Sequence, residues 1–492
     1  MMKKDLFIAG GLLALGLALL LPYWNFVGDD AFIHLRFIES LHQRGEFAFN
    51  PGEATYGSTS PLWVILIAAL RPLFDDPIFA LKLVSLILAL SSLLFFFLLS
   101  REYFKDTAWV VASVALLAFD PWFIKWTMSG MENGLTLALL LSGFWWHLRQ
   151  RNSGKPNWLS PLLFGLCWLT RPEIFLFLGL ILLDILLFET GKKKQNLSLL
   201  FTIVAAIQLP WLIYAYSAFS TVIPNTILAR QAEEAYSLPF EFTLTKTIKV
   251  LLSNNLLELL VLGVLGGAAL NKKWRAQIHV GKFADLFVLA LWPLGLIAFY
   301  LAGKTNVMGR YLLMATPFII LLGLRALRAL LQGFALRPRL QTAGLGLFAL
   351  AVIAQLLVVQ IKYTFFVTHF SKGMDDELIA MGTWFAENTP PETLIAAHEF
   401  GALGYYSQRR ILDLSGLVSP EVIPYIKQKR LLDIVKEKKP AFVVEQSWEE
   451  FDLLQHPEWG EYLTPLFVKR VQREGSSVAG KKEIMSVYKT KF

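Results

Sequence analysis

Apolar residues arrive in block after block between residues 6 and 361, several of them about 20 residues long. A helix of about 20 apolar residues crosses about 30 Å of hydrocarbon, and inside a bilayer only helices or closed barrels satisfy their own backbone. That patterning excludes a water-soluble core and requires a multi-span helical membrane protein. Charged residues are 17% of the 492, against roughly a quarter in soluble domains. The shortage falls on 6–361, whereas 362–492 has the pattern of a soluble chain.

The spacing predicts helical spans near 6–23, 78–100, 107–127, 133–148, 158–170, 172–189, 197–217, 248–270, 283–302, 311–331 and 341–361, about 11 in all. Met1-Met2-Lys3-Lys4 and the apolar run after it resemble a leader, but no small-residue cleavage site follows, so the run reads as an uncleaved first span. Four connections are basic: Arg149/Arg151/Lys155, Lys192–Lys194, Lys272/Lys273/Arg275/Lys282 and Arg325/Arg328/Arg337/Arg339. Basic loops stay cytoplasmic, which puts the N-terminus inside and the alternate connections outside. The net charge of +8 therefore belongs to membrane topology and not to nucleic acid. Cys167, the single cysteine, excludes an internal disulfide and reads as a small buried hydrophobe.

Pro61–Phe74 would break this parity if it crossed. It is short and carries Arg71, so it reads as a helix lying at the surface or re-entering within one external loop, 24–77. The stretch 31–45, with Phe32, Leu35, Phe37, Ile38 and Leu41, reads as a second surface helix of that loop. Residues 362–492 hold short apolar runs at Leu394–Ala397 and Ala441–Glu445, with helical spacing at 375–388 and 420–438. They predict an extracytoplasmic α/β domain beside a transmembrane domain of residues 1–361.

The external connections concentrate the polar chemistry. Gly28-Asp29-Asp30-Ala31 sets two carboxylates directly after the first span, able to act as a general base or to hold a divalent cation (Mg, Mn or Ca). As a sequence pattern alone, the pair is equally a solvated helix cap. Further along come Met131-Glu132-Asn133, Thr170-Arg171-Pro172-Glu173, Pro224-Asn225-Thr226 with Arg230, Lys304-Thr305-Asn306 and Gly309-Arg310-Tyr311. Each alone could anchor an interface. Together they place acids and bases on one side of the bilayer, as binding a lipid-linked phosphate and deprotonating a hydroxyl requires. Trp24, Trp122 and Trp126 read as interfacial belt residues.

Gly28–Ile33, Phe49-Asn50-Pro51-Gly52-Glu53 and Thr59-Ser60-Pro61-Leu62-Trp63 resemble the first external loop of GT-C glycosyltransferases. Ser129–Glu132, Thr170–Glu173, Pro224–Thr226 with Arg230, and Gly309–Tyr311 follow in the same order. The branch containing the mycobacterial terminal arabinofuranosyltransferases is the most similar, through Gly401–Ser407 and Asp413–Leu417 as well. Thr59-Ser60-Pro61 and Arg230 depart from that branch. The resemblance implies a GT-C type membrane domain and Asp29 or Asp30 as the catalytic carboxylate.

The expected activity is inverting transfer of a sugar from a polyprenyl-phosphate donor to a glycan, lipid or protein hydroxyl outside the cytoplasmic membrane, for cell-envelope biogenesis. Asp29, Asp30 and Glu132 are the catalytic candidates. Arg230 and Arg310, with Arg171 and Lys304, are the candidates for the donor phosphate, and Glu173, Asn225, Thr226, His398 and Asp413 for substrate. No cofactor is assigned; a divalent cation on Asp29 and Asp30 stays open. Trp384, Tyr405 and Tyr406 are candidate sugar platforms, or else core aromatics. The rival readings are a transporter or flippase of a lipid-linked sugar, which would favour mid-membrane polar groups and repeats, and a lipid-pyrophosphate oligosaccharide ligase.

Overall fold

The computed structural model describes residues 3–151, 153–232, 239–270, 282–334, 336–448, 457–471 and 483–492. Met1, Met2, Lys272, Lys273 and Arg275 lie outside the described residues.

Among the described residues, seven helices are long and apolar enough to cross a bilayer: Lys3–Tyr23, Pro77–Tyr103, Lys193–Phe219, Phe240–Leu270, Phe283–Ala302, Thr316–Gly333 and Pro338–Asn388. The expected span at 107–127 is broken into α5 (Thr107–Ala118) and α6 (Pro121–Thr127), bent by 57°. Pro121 cannot donate to the preceding turn and Asp120 caps the amide of Phe123 instead. Counted as one span, the pair makes eight. The expected spans at 158–170 and 172–189 are helices of only 10 and 15 residues, α8 (Leu159–Trp168) and α9 (Ile174–Phe188). The expected span at 311–331 begins later, at Thr316, after a four-residue turn of helix at Gly309–Leu312.

Helix α3 (Pro61–Leu70) has 10 residues, about 15 Å of rise and well short of a crossing. Helix α2 (Asp29–Arg44) starts after Gly28 and ends on Gly45 at φ +71°, a left-handed stop that glycine adopts without strain. The expectation of a surface helix fails for α2, whose Ala31–Ile38 are buried without interruption. What covers it is the C-terminal domain: Gly401–Ser407 lies along α2.

That domain is a five-stranded sheet of order β2-β1-β3-β5-β4. β1 (Leu394–Ala397) runs parallel to β2 (Arg410–Asp413) and β3 (Phe442–Trp448); β5 (Glu483–Thr490) runs antiparallel to β3 and to β4 (Leu463–Val471). Its two faces go to different cores, as the period of two requires. Ile395, Ala397, Ile411 and Val444 share the core of the helical domain. Ala396, Leu412 and Val443 face Ile423, Ile426, Ile434 and Val435, with Ala229 and Ala232 of α11 (Asn225–Ala232) in the same cluster. The division expected at 361/362 falls inside one helix that runs unbroken from Pro338 to Met374.

The interface is specific. Asn50 presents its side-chain amide to β2 as a strand would, donating to the Ile411 carbonyl at 2.8 Å and accepting from the Ile411 amide at 2.9 Å. Arg36 donates to Gln408 at 3.0 Å and to the Arg409 carbonyl, and Glu53 pairs with Arg410. Three glycines allow close approach. A Cβ at Gly401 would stand 2.5 Å from the Asp29 carbonyl oxygen, one at Gly404 2.7 Å from the Phe49 ring, and one at Gly57 2.9 Å from the Leu417 carbonyl. The C-terminal domain thus clamps α2 and α11, the helices that carry Asp29, Asp30 and Arg230.

Candidate functional site

The polar connections meet around the N-terminus of α2. Gly28 donates its amide to the Ser129 carbonyl at 3.0 Å, which brings the two carboxylates against the 128–132 turn. Gly130 makes that turn at φ +80°, where a Cβ would stand 2.7 Å from Leu81 and 3.2 Å from Ala31. α3 ties in the next turn: Ser60 Oγ donates to the Thr170 carbonyl, Leu62 N to the Leu169 carbonyl, and Trp63 Nε1 to the Gly130 carbonyl. The motifs spaced along the chain are thus one set of mutually bonded loops.

The two aspartates are turned to different partners. Asp29 accepts from the Ala402 amide at 2.9 Å and belongs to the domain interface. Asp30 faces Arg310, Oδ2 to Nη1 at 2.6 Å, with 45% of its side chain still open against 13% for the arginine. The protein packed round the Asp30 carboxyl would raise its pKa, but the charge and hydrogen bond of Arg310 outweigh this and hold it below the ordinary value.

Beside them lies a buried ionic network. Arg171 donates to Glu132 at 2.9 Å, to Glu173 at 2.6 Å, to Asn133 at 3.2 Å and to the Tyr300 hydroxyl at 3.3 Å. Tyr300 in turn donates to Glu173 at 2.6 Å. His34 Nε2 is 3.6 Å from Glu132, and its Nδ1 is 3.3 Å from Ser58 Oγ. Burial would push the Glu132 carboxyl up; the His34 bond and the Arg171 charge prevail and hold it at about 2. Arg171, expected at the donor phosphate, is instead enclosed and used up by carboxylates, and Glu173 is closed in the same way.

Tyr311 sits among three arginines. Arg230 donates to its hydroxyl at 3.2 Å, and the guanidinium carbons of Arg171 and Arg310 lie 5.6 and 5.3 Å from its ring centre. Burial would raise this phenol, yet Arg310 and Arg230 draw its pKa below the ordinary value. Arg230 itself is exposed. Lys304 is exposed as well, at φ +45° in the preceding turn, and makes no contact with this cluster among the interactions described.

Asn225 is a buried strut, donating from Nδ2 to Thr55 at 2.8 Å and from its amide to the Tyr56 carbonyl at 2.9 Å. Thr226 beside it has a buried hydroxyl without a partner among the described residues. Asp413, expected to touch substrate, is fully buried and accepts from the Ser415 and Val418 amides, both at 2.8 Å. Burial raises its carboxyl to about 6. His398 pairs with Glu445 at 3.0 Å inside the C-terminal domain. Tyr405 and Tyr406 pack on Phe32 with ring centres 5.7 and 5.6 Å away, as interface aromatics.

Trp122 and Trp126 are buried rather than belt residues. Trp126 lies 5.5 Å from the Arg310 guanidinium and 4.6 Å from Lys125 Nζ, and Trp122 blocks the space beside Gly309, where a Cβ would meet its ring at 2.3 Å. Lys125 was legible as a cation inside an apolar run, as was Lys82, whose ammonium donates to the carbonyls of Tyr23, Phe26 and Met128. His34 was legible four residues after Asp30, on the same helix face. Tyr300, in an apolar span, left no signal. Cys167 is buried, its Sγ 3.4 Å from the Thr136 carbonyl.

The donor set does not fit a metal. One carboxylate of the Asp29–Asp30 pair is held by an amide and the other by a guanidinium, and no group of three His, Cys, Asp or Glu converges as ligands among the described residues.

The opposite ends of the helices carry a second ionic set. Helix α7 (Asn133–Gln150) has 18 residues, about 27 Å of rise, between the Glu132 network and the expected cytoplasmic basic loop. There Arg151 bonds Asp184 at 2.9 Å and Asp285 at 2.7 Å, and His147 bonds Asp184 at 2.7 Å.

Comparison with known proteins agrees with this architecture. The family model described as dolichyl-phosphate-mannose-protein mannosyltransferase matches residues 58–214, and a domain family of unknown function, DUF8728, matches 367–486. A search of curated protein sequences gives no match. Among solved structures, ArnT from Cupriavidus metallidurans bound to undecaprenyl phosphate superposes with a TM-score of 0.61 at 12% identity, covering 98% of this chain and 97% of that one. The apo form of the same enzyme gives 0.58 at 12%, covering 97% and 98%. The Archaeoglobus fulgidus oligosaccharyltransferase, in complex with Zn and sulfate, gives 0.58 at 14%, covering 93% of this chain and 71% of that one. The fold is GT-C. With that fold and its apolar helices, the chain is a multi-pass membrane protein.

Proposed function

We propose that this GT-C protein is an inverting glycosyltransferase that takes a sugar from a polyprenyl-phosphate donor and gives it to an acceptor hydroxyl on the outer face of the cytoplasmic membrane. The observation that carries the reading is the Asp30–Arg310 pair at 2.6 Å, a general base and a phosphate-binding cation in contact at the meeting point of the loops. The undecaprenyl phosphate bound to ArnT and the mannosyltransferase family match support a polyprenyl-phosphate lipid.

In this mechanism Arg310 and Arg230 receive the donor phosphate, and the ring faces of Trp126 and Tyr311 flank the Arg310 guanidinium. As Arg310 turns to the phosphate, it releases Asp30, whose basicity rises when its counter-ion leaves. Asp30 takes the acceptor proton while that oxygen attacks the anomeric carbon. The bond from carbon to phosphate oxygen breaks, the configuration inverts, and polyprenyl phosphate leaves. The arginines stabilise the charge growing on the leaving group. Glu132, Arg171, Glu173 and Tyr300 fix the loops, and Asp29 fixes the soluble domain over them. Lys304 stands at the rim as a second-rank phosphate contact. The basic loops put the N-terminus inside and residues 362–492 outside. The donor carries a single phosphate, whose charge Arg310 and Arg230 balance.

The arabinofuranosyl branch rests on sequence motifs alone, so we assign the donor by its lipid phosphate and leave pentose or hexose to assay. Purified protein would be incubated with a panel of radiolabelled polyprenyl-phosphate pentoses and hexoses, with and without EDTA. Transfer from at least one donor, surviving EDTA, is expected. Use of polyprenyl-pyrophosphate oligosaccharides alone would make it a ligase, and translocation without bond cleavage would make it a transporter.

A further inference from the structure

Helix α12 (Phe240–Leu270) buries a face that is polar throughout. Its buried side chains are Thr243, Thr247, Asn254, Asn255 and Glu258, while Ile248, Leu252, Leu260 and Val264 are exposed. An apolar outer side is what a lipid-facing helix needs. A wholly polar inner side is costly at membrane depth, and ionisable residues there mark function.

The acid of that face sits near mid-membrane and meets a second one. Glu258 lies near the middle of the predicted span 248–270, and Asp120 near the middle of 107–127, at the break between α5 and α6. Asn254, one helical turn before Glu258 on the same face, donates from Nδ2 to Asp120 Oδ2 at 2.9 Å. α12 is broken at the same level, with Asn255 at φ −119° and ψ 23°. Gln355 takes up the kink by donating to the Ser253 carbonyl at 3.0 Å. Gly323, on the helix Thr316–Gly333, makes room for the acid: a Cβ there would stand 2.7 Å from Glu258 Cβ.

No cation balances the two carboxyls. Both residues are 1% exposed, and the charge that acts on Glu258 is that of Asp120, of the same sign. Asp120 also caps the Phe123 amide, but Asn or Ser would cap as well. Glu258 Oε2, Gln355 Oε1 and Thr243 Oγ1 are buried without a hydrogen-bond partner among the described residues. A bare carboxylate in these surroundings is too costly to persist unless it takes up a proton or holds a cation. A divalent ion takes about six or more oxygens, and no three acids, histidines or cysteines converge as ligands among the described residues.

We infer that Asp120, Asn254 and Glu258 form a mid-membrane site for a monovalent cation, H⁺ or Na⁺, bound by carboxyl oxygens that lack a counter-charge. Thr243 and Thr247 extend the polar face toward the end of α12, about 22 Å from Glu258, and α12 meets the Gly309–Leu312 turn; that face is the route to water. The site uses none of the residues of the Asp30–Arg310 pair and does not rest on the transferase reading.

The test uses the whole chain in lipid nanodiscs without any donor. Dicyclohexylcarbodiimide reacts with a carboxyl that is protonated and in apolar surroundings, and mass spectrometry locates the adduct. Glu258 is expected to label at acid pH, about tenfold more slowly for each pH unit above its midpoint. The adduct is lost in Glu258→Gln, and the profile moves by about one pH unit or more in Asp120→Asn, a change that keeps both the cap and the Asn254 bond. Sodium that slows labelling about tenfold relative to choline identifies Na⁺ as the ligand; no effect of sodium identifies the proton. Infrared difference spectra between acid and alkaline pH, in sodium and in choline, serve if the reagent does not reach the site: a protonated-carboxyl band should vanish in Glu258→Gln. Absence of both adduct and band, or a profile unmoved in Asp120→Asn, would overturn the inference. A chain that shows the site but transfers no sugar would refute the transferase reading alone.

Discussion

Replacing Arg171 by methionine removes one cation from among Glu132, Glu173, Asn133 and Tyr300. All five residues are buried, Arg171 keeping 7% of its surface and the two acids 4% each. Breaking a buried ion pair by deleting one partner costs about 3–5 kcal/mol, because the remaining charge is left without compensation. Here two carboxylates are left, so Arg171→Met belongs at the upper end, a loss of roughly 5 °C in apparent Tm. Neutralising both acids as well (Arg171→Met with Glu132→Gln and Glu173→Gln) removes the stranded charges and should restore most of that loss. The assay is thermal unfolding in detergent at constant scan rate, followed by tryptophan fluorescence. Acid gives an internal check. The Glu132 pKa falls from 4.5 to about 2 on folding, so its ionised form contributes stability that is complete above pH 4.5 and is lost as pH drops toward 2. Glu132→Gln should flatten that limb. A single variant that melts with the wild type, or a triple variant no better than the single one, would refute the electrostatic account of this network.

Three further outcomes follow from the same geometry. Gly401→Ala places a Cβ 2.5 Å from the Asp29 carbonyl; the overpacking should cost about 1–3 kcal/mol and lower transfer by lifting the soluble domain from α2, which hydrogen exchange on α2 would report. Asn50→Ala strands the amide and carbonyl of Ile411, at about 1–3 kcal/mol each, and should speed proteolysis between the domains while the helical domain stays intact. In a Cys167→Ser background, Lys304→Cys and Arg149→Cys should label from opposite faces of the membrane with an impermeant maleimide; labelling from one face would break the topology.

Much of this was readable beforehand, for identifiable reasons. Apolar block length located the long spans, and the shortness of Pro61–Phe74 with Arg71 inside it was itself legible: the helix there has 10 residues, and Arg71 turns back to Glu39 at 2.8 Å. The strands at 394 and 442 were legible as short apolar runs. The choice between Asp29 and Asp30 was not. Adjacent helical residues point about 100° apart, and what separates them is Ala402, 373 positions away. Arg171 looked like a phosphate ligand because its two acids and Tyr300 are scattered through the chain. α2 looked like a surface helix because the domain that buries it lies beyond residue 400.

The central claim is that Asp30, and not its neighbour Asp29, takes the acceptor proton beside Arg310. The most direct measurement is single-turnover sugar transfer by Asp30→Asn and Asp29→Asn on the best donor of the panel, with Asp30→Asn checked for an unchanged melting temperature. The account predicts a loss of about 10²–10⁴-fold for Asp30→Asn, the scale of a lost general base, and a far smaller loss for Asp29→Asn. Full activity in Asp30→Asn would contradict it.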